Sequence, residues 1–336
     1  MPKTCKIIFF CVYLRPVTGR KCLISAPKTS ILTQTKDMNI RKILLLPLLA
    51  LTFLLSSCGT TSTVPVTGRQ HNLLVDDAQV LSLSTQQYSD FMKTAAPSKN
   101  ATNSALVKKV GQRLATAVET YLKNNGFANE VKNFAWEFNL VQDKQVNAFC
   151  MPGGKIVVYE GLLPVTQDEA SLAVVLGHEI AHAVAKHSAE QMSTQMRQQY
   201  GAQIAAQLLG QYTSANVTQL ATLAAQMGFS FANLKYSREN ETEADYMGLI
   251  FMAMAGYDPN SAIPFWQRMA ASSGNANQSD LFSDHPSDAK RIAALQRAMP
   301  EALKYYTPAP ASTTSSKSGT STKKNTTTKK NTTTKK

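Results

Sequence analysis

From Glu169 to Lys186 the chain reads Glu-Ala-Ser-Leu-Ala-Val-Val-Leu-Gly-His-Glu-Ile-Ala-His-Ala-Val-Ala-Lys, a helix-length apolar run with His178, Glu179 and His182 in its middle. Small and apolar neighbours do not accommodate two imidazoles and a carboxylate unless those groups are answered by partners. Histidines four apart lie on one helix face, close enough for both rings to reach one metal ion. Glu179 follows His178 by one position, where its carboxylate can hold a water and take its proton. Neutral imidazoles suit Zn²⁺, and a zinc site that does chemistry takes three protein ligands and keeps one position open. The chain must therefore fold so that a third ligand from elsewhere meets this helix.

The rest of the chain supplies a helical frame with a small sheet. Apolar residues recur at three- and four-residue spacing over Asp76–Ala96 and Ser104–Asn125, with Leu106, Val110, Leu114, Val118 and Leu122 as one stripe. Gly126 suits the end of the second helix. The stretch from Phe134 to Val141 alternates at period two and reads as a strand. Asn147–Met151 and Lys155–Tyr159 flank Pro152-Gly153-Gly154 and read as a hairpin. Long helices are expected over Gln167–Gln195 and Ser237–Ala255, the latter closed by Gly256 and Pro259. Gln198–Leu234 carries no charged residue, but its recurring glutamines favour buried or partner-facing helices over a membrane span. The expected class is α+β and mainly helical.

Charge separates this body from its ends. The formal net charge is +13. Residues 1–37 carry seven Lys or Arg against one Asp, Arg41 and Lys42 add two, and the tail from Thr307 adds seven lysines, so residues 43–306 hold a net −2. A nucleic-acid-binding fold needs a basic patch of its own, and the charge balance points to none. Met38 opens a short basic region, an apolar run from Ile43 to Leu55 and Ser56-Ser57-Cys58-Gly59, which is the pattern of a secretory signal. The apolar run is shorter than the ~20 residues that a spanning helix needs. Leu55-Ser56-Ser57-Cys58 resembles the bacterial lipobox, which implies lipid attachment at Cys58 and, with Gly59 following, retention at the outer membrane of a Gram-negative envelope. Residues 1–37 precede a signal that begins with its own Met and read either as lying upstream of a true start at Met38 or as a dispensable leader; residues 38–57 are the signal, 58–306 the folded domain and 307–336 a disordered Lys/Thr-rich tail. Five scattered cysteines do not form a disulfide framework, and Cys150 reads as a small buried thiol.

The third ligand is less obvious. His187 lies five residues after His182, which does not fit the metzincin spacing, and it reads as a helix-surface residue or one that supports a ligand. In Ser237-Arg-Glu-Asn-Glu-Thr-Glu-Ala-Asp245, Glu241 and Asp245 are four apart on one helical face. One carboxylate can ligate a metal while the other accepts the free N–H of a ligand histidine. The same stretch also reads as a solvated acidic helix start, favoured by the helix dipole.

His178-Glu179-Ile-Ala-His182 followed some 60 residues later by Glu241-Thr-Glu-Ala-Asp245 resembles the gluzincin family of the CAAX prenyl endopeptidase and HtpX, its periplasmic lipoprotein members above all. Pro65-Val-Thr-Gly-Arg69, Asn147-Ala-Phe149 with Pro152-Gly-Gly154, and His285-Pro286 with Arg291-Ile292 extend the resemblance over roughly residues 64–300. The resemblance implies a zincin-like metalloprotease domain with one Zn²⁺ held by His178, His182 and Glu241. Glu179 would be the general base and Asp245 the partner of a ligand histidine. The strand at Asn147 and Ala148 would be the edge to which an extended substrate adds. His285 and Arg291 would face substrate or the developing oxyanion across the cleft, and in a latent state His285 would itself occupy the fourth zinc position and hold the enzyme off. Implied substrates are unfolded or misassembled envelope proteins, with the outer-membrane assembly machinery as a further candidate partner. A competing function is that of a chaperone or assembly factor with a latent zinc site.

Overall fold

The computed structural model describes residues 60–209, 217–273 and 289–308. Cys58, His285, the leader, the signal and the lysine-rich tail lie outside the described residues. The described chain begins with a hairpin of β1 (Thr60–Thr63) and β2 (Gln70–Leu73). Helices α1 (Asp77–Thr94), α2 (Ala101–Asn124) and the short α3 (Ala128–Val131) follow, then β3 (Glu137–Val141), β4 (Ala148–Met151) and β5 (Lys155–Tyr159). After them come α4 (Leu163–Thr166), α5 (Glu169–Val184), α6 (His187–Tyr200), α7 (Ala202–Leu209), α8 (Val217–Gln226), α9 (Arg238–Met254), α10 (Ala262–Ser273) and α11 (Ala289–Ala302). The domain is mainly helical with small sheets, as its patterning predicts, and no described helix is long and apolar enough to cross a membrane.

Caps mark the helix starts. Asp76 and Gln79 form a capping box on α1, while Asn100, Asp168 and Ser237 accept from the third helical amide of α2, α5 and α9. The three-stranded sheet runs β3-β5-β4, with β3 parallel and β4 antiparallel to the central β5. Pro152 and Gly153 (φ 86°) occupy the middle of the β4–β5 turn, where Gly154 N–H returns to Met151 O, the type II pattern.

Both sheet faces are covered, so β4 and β5 read as nearly continuous apolar runs. Phe138, Leu140, Ala148, Cys150, Ile156 and Val158 point into one core cluster with α2, α5 and α9; Val141, Phe149, Met151 and Val157 point into another with α1, α6 and α8. The charge-free stretch contributes Ala205, Leu209, Leu220, Leu223 and Ala224 to that second cluster, the buried-helix outcome.

Helix α5 lies at the centre of the first cluster and packs on α2, α9 and β4. Two glycines set its distance to α9. A Cβ on Gly177 would stand 2.8 Å from Gly248 O, and one on Gly248 would stand 2.7 Å from His178 N. Their missing side chains bring the two helices into backbone contact beside His178.

The structure corrects one element. The expected continuous helix over Gln167–Gln195 is two helices, broken at Ala185 and Lys186, with Lys186 in the left-handed region (φ 56°, ψ 33°). The Lys186 ammonium is held by Asp77 and Glu130, each at 2.9 Å, which stabilises the break from outside the helix.

Candidate active site

Helix α5 presents His178, Glu179 and His182 from one buried stretch, and α9 presents Glu241 and Asp245 opposite them. His178 Nε2 and His182 Nε2 are 3.0 Å apart. Glu241 Oε2 stands 3.5 Å from His178 Nε2, and Glu241 Oε1 stands 3.4 Å from His182 Nε2. Two ligand atoms each about 2.0–2.1 Å from a tetrahedral zinc would be separated by roughly 3.3 Å. The three donors therefore already stand at the mutual spacing that one zinc ion requires, and the two-imidazole, one-carboxylate set suits that metal. Among the described residues this is the sole cluster of such groups with its ligand atoms within 4.8 Å of one another.

Each histidine is held from behind. His178 Nδ1 is 3.0 Å from Asp245 Oδ1, so a proton there leaves the Nε2 lone pair facing the donor cluster. Arg291, from α11, forks onto Asp245 with Nε–Oδ2 2.6 Å and Nη2–Oδ1 2.7 Å, and its guanidinium lies 3.6 Å above the Trp266 ring. The resemblance puts Arg291 against substrate or oxyanion; the structure places it buried on Asp245 and 3.5 Å from Glu241 Oε2, behind the donor cluster.

On the other side, His182 Nδ1 meets His187 Nδ1 at 2.9 Å, and His187 Nε2 meets Glu243 Oε2 at 3.0 Å. On an uninterrupted helix a residue five positions on lies about 140° around the axis. The left-handed Lys186 turns the chain so that His187 faces His182 instead. His187 is thus fully buried and supports His182; the alternative surface position is not what the fold gives it. The Tyr236 ring stacks on His182 with centroids 4.0 Å apart and planes 22° apart.

Protonation follows from these contacts. Burial pushes His182 well below its ordinary value, and burial outweighs Glu243 to lower His187 as well, so both rings are neutral at pH 7. Burial would also lower His178, but Asp245 and Glu241 overcome it and raise the ring to about 9. Ligand histidines must release such a proton to bind metal. Burial disfavours charge on Asp245, yet Arg291 and His178 hold it below the ordinary carboxylate range.

Glu179 lies at the free edge of β4. Tyr159 N–H donates to Asn147 O, so Asn147 is committed to β5. Antiparallel alternation then turns the amides of Ala148 and Cys150 away from β5. The Cys150 N–H donates to Glu179 Oε2 at 3.1 Å. Of the two residues expected to present backbone at this edge, Ala148 does so and Asn147 does not. The Cys150 thiol is buried, and burial and then Glu179 push its pKa up, which makes it inert.

Sequence reasoning assigned no role to Tyr236, Glu243, Thr67 or Arg69. Glu243 is two residues from Glu241 and so points to a different side of α9, where a carboxylate reads as solvated. Only the packing of α6 and of the β1–β2 loop against that side reveals its partners.

A His-Glu-x-x-His helix whose histidines converge with a glutamate from a second helix, beside an edge strand, defines the gluzincin class of metallopeptidase domain. Residues 107–299 match peptidase family M48, and the chain belongs to that family, whose metallopeptidases depend on zinc. It is 38% identical over 187 residues to the mitochondrial metalloendopeptidase OMA1 of Schizosaccharomyces pombe, an alignment covering 55% of this chain and 53% of the relative. It is 37% identical over 194 residues to the mitochondrial metalloendopeptidase OMA1 of Arabidopsis thaliana, covering 57% and 38%. With the metalloprotease LoiP of Escherichia coli the identity is 29% over 227 residues, covering 67% and 82%. The chain thus spans about half the length of the first of these relatives and less than two fifths of the second.

Proposed function

We propose that this chain is a zinc-dependent endopeptidase of the bacterial envelope that cleaves unfolded or misassembled envelope proteins. The observation that carries the reading is the convergence of His178, His182 and Glu241 beside Glu179 at the free edge of β4. The names of its relatives, metalloendopeptidase and metalloprotease, support the same reaction class.

A zinc ion held by these three residues supplies Lewis acidity toward the scissile carbonyl and a water. Glu179 takes the proton of the attacking water and delivers it to the leaving amine. An extended substrate adds to the amide and carbonyl of Ala148 and the carbonyl of Cys150, which reads backbone and tolerates many side chains. Such a strand runs past Glu179, because the intervening Cys150 amide already touches that carboxylate. The resemblance would give His285, which lies outside the described residues, a contact with substrate or the developing oxyanion. Lipid attachment at Cys58 would place the domain at the periplasmic face of the outer membrane, a location that rests on the signal-like segment before it.

The test is cleavage of an unfolded reporter protein by the purified full chain beside Glu179→Gln, with zinc measured on both. Cleavage by the parent alone, with about one zinc on each, is the expected result. Zinc on both and cleavage by neither would favour the assembly-factor reading. A parent that takes up no zinc would end the peptidase reading.

A further inference from the structure

We infer that the β1–β2 loop, Val64–Arg69, positions the ligand His182, acting through Glu243 and His187. The inference rests on the metallopeptidase reading in one respect: His182 must be a metal ligand for its orientation to matter.

The loop is built to place two side chains. Thr67 N–H closes on Pro65 O at 2.9 Å across Val66, whose φ is 71°. A three-residue turn with positive φ at its centre is rare and strained, and Val is β-branched. Such a conformation persists only where its surroundings over-determine it. Val64, buried at 1% exposure, anchors the loop in the first core cluster, and its amide is tied to Arg69 O at 2.8 Å.

The two side chains so placed both reach Glu243. The Thr67 hydroxyl donates to Oε1, and Arg69 Nε donates to Oε2 at 2.7 Å. The rest of the Arg69 guanidinium forks onto Glu190 of α6, with Nη1–Oε1 and Nη2–Oε2 both at 2.8 Å. Asn240 adds a further donor to Glu190 at 3.1 Å. Arg69 therefore ties α9 to α6 across the gap that His187 occupies.

The hydrogen bonds then admit a single direction. A His182 Nε2 lone pair in the donor cluster requires the ring proton on Nδ1, which donates to His187 Nδ1. That leaves the His187 proton on Nε2, donating to Glu243 Oε2. A carboxylate held on both oxygens by Thr67 and Arg69 cannot rotate away from this proton. Carboxylates that act on a ligand histidine commonly change metal affinity by 10- to 100-fold when removed. Here the carboxylate acts through a second imidazole, and its own orientation is set by a loop some 175 residues away in sequence.

The experiment uses the full chain, with zinc affinity read by chelator competition and ligand geometry by the absorption bands of the cobalt(II)-substituted protein. Glu243→Ala should weaken zinc binding 10- to 100-fold. Arg69→Lys, which keeps the charge and loses the fork, should weaken it several-fold and shift the cobalt bands in the same direction. Leu83→Ala, buried in the other core cluster, serves as a control that lowers Tm and leaves affinity and bands unchanged. If Glu243→Ala fails to fold, Arg69→Lys decides. Zinc affinity within twofold of the parent and an unshifted cobalt spectrum in Arg69→Lys would overturn the inference and leave the loop a structural clasp. A parent without zinc affinity would instead refute the metallopeptidase reading itself.

Discussion

The two histidines of the donor cluster are supported in different ways. Behind His178 stands one carboxylate, Asp245, on the helix that also carries Glu241, and Arg291 grips that carboxylate at 2.6 and 2.7 Å. Behind His182 stands a second imidazole, then Glu243, then Arg69 from the start of the described chain. Both flanks end in an arginine-held carboxylate, which meets His178 directly but reaches His182 only through the neutral His187 ring. They differ in length and in reach. The His178 flank is closed by α9 and α11, whereas the His182 flank needs α6, α9 and the β1–β2 loop together. A site assembled in this way is rigid only when distant parts of the chain are in place.

The largest effect should come from the residue common to both flanks. Glu241→Ala removes the one ligand that meets both histidines, at 3.5 and 3.4 Å. Zinc content should fall from about one per chain to near zero, because a catalytic zinc site depends on three protein ligands. Retained stoichiometric zinc, measured by atomic absorption after dialysis, would show that the histidines suffice and that Glu241 is a bystander.

Next in size is the short flank alone. Asp245→Asn keeps an acceptor for His178 but leaves Arg291 only the longer contact to Glu241, at 3.5 Å, as its carboxylate partner, which should cost up to about 3 kcal/mol. The sign of the pH dependence follows from Asp245 being held below the ordinary carboxylate range. Its contribution is complete above the unfolded value of about 3.9 and is lost as pH falls through the lower folded value. In metal-free protein, the gap in unfolding free energy between parent and variant should therefore be wide at pH 7 and narrow below pH ~4. A gap that stays constant from pH 7 to pH 3 in urea titrations would mean that the Asp245 charge does not hold the flank.

These contrasts bear on what the amino-acid sequence discloses. His178, Glu179 and His182 stand out because the chemistry needs them on a single helix face, and a four-residue spacing is local information. Glu241 and Asp245 share that spacing, yet only a resemblance separated them from an ordinary acidic helix start. The α2 stripe and the β4–β5 hairpin were also readable, since periodicity and the Pro-Gly-Gly turn are local. The break at Lys186 was not, because Asp77 and Glu130 hold it from other elements. His187, Glu243 and Arg69 stayed without a joint role for the same reason: their meeting depends on that break and on a loop packed across α9. The seat of Arg291 on Asp245 was not legible because a buried guanidinium and a substrate-facing one look identical in sequence.

The smallest expected effect probes what the two flanks share beneath them. Gly177 and Gly248 bring α5 and α9 into backbone contact, and a Cβ at Gly248 would stand 2.7 Å from His178 N and 2.9 Å from its Cα. Intrinsic helix propensity favours alanine over glycine by about 1 kcal/mol. The clash opposes it, and because both contacts are with backbone, no side chain can swing aside. Overpacking of this kind costs roughly 1–3 kcal/mol, so Gly248→Ala should destabilise the domain by about 0–2 kcal/mol net. The helices must part by some tenths of an ångström, and that displacement moves Glu241 and Asp245 away from His178 while leaving the His187–Glu243 contact on the far side of α9 less disturbed. Zinc affinity should drop several-fold, with the His178 flank responsible. Combining Gly248→Ala with Asp245→Asn sharpens the point: losses that act on one flank should be less than additive. Full additivity in zinc affinity would mean that helix spacing and the Asp245 hydrogen bond position the metal independently, and that the two flanks are less distinct than their geometry indicates.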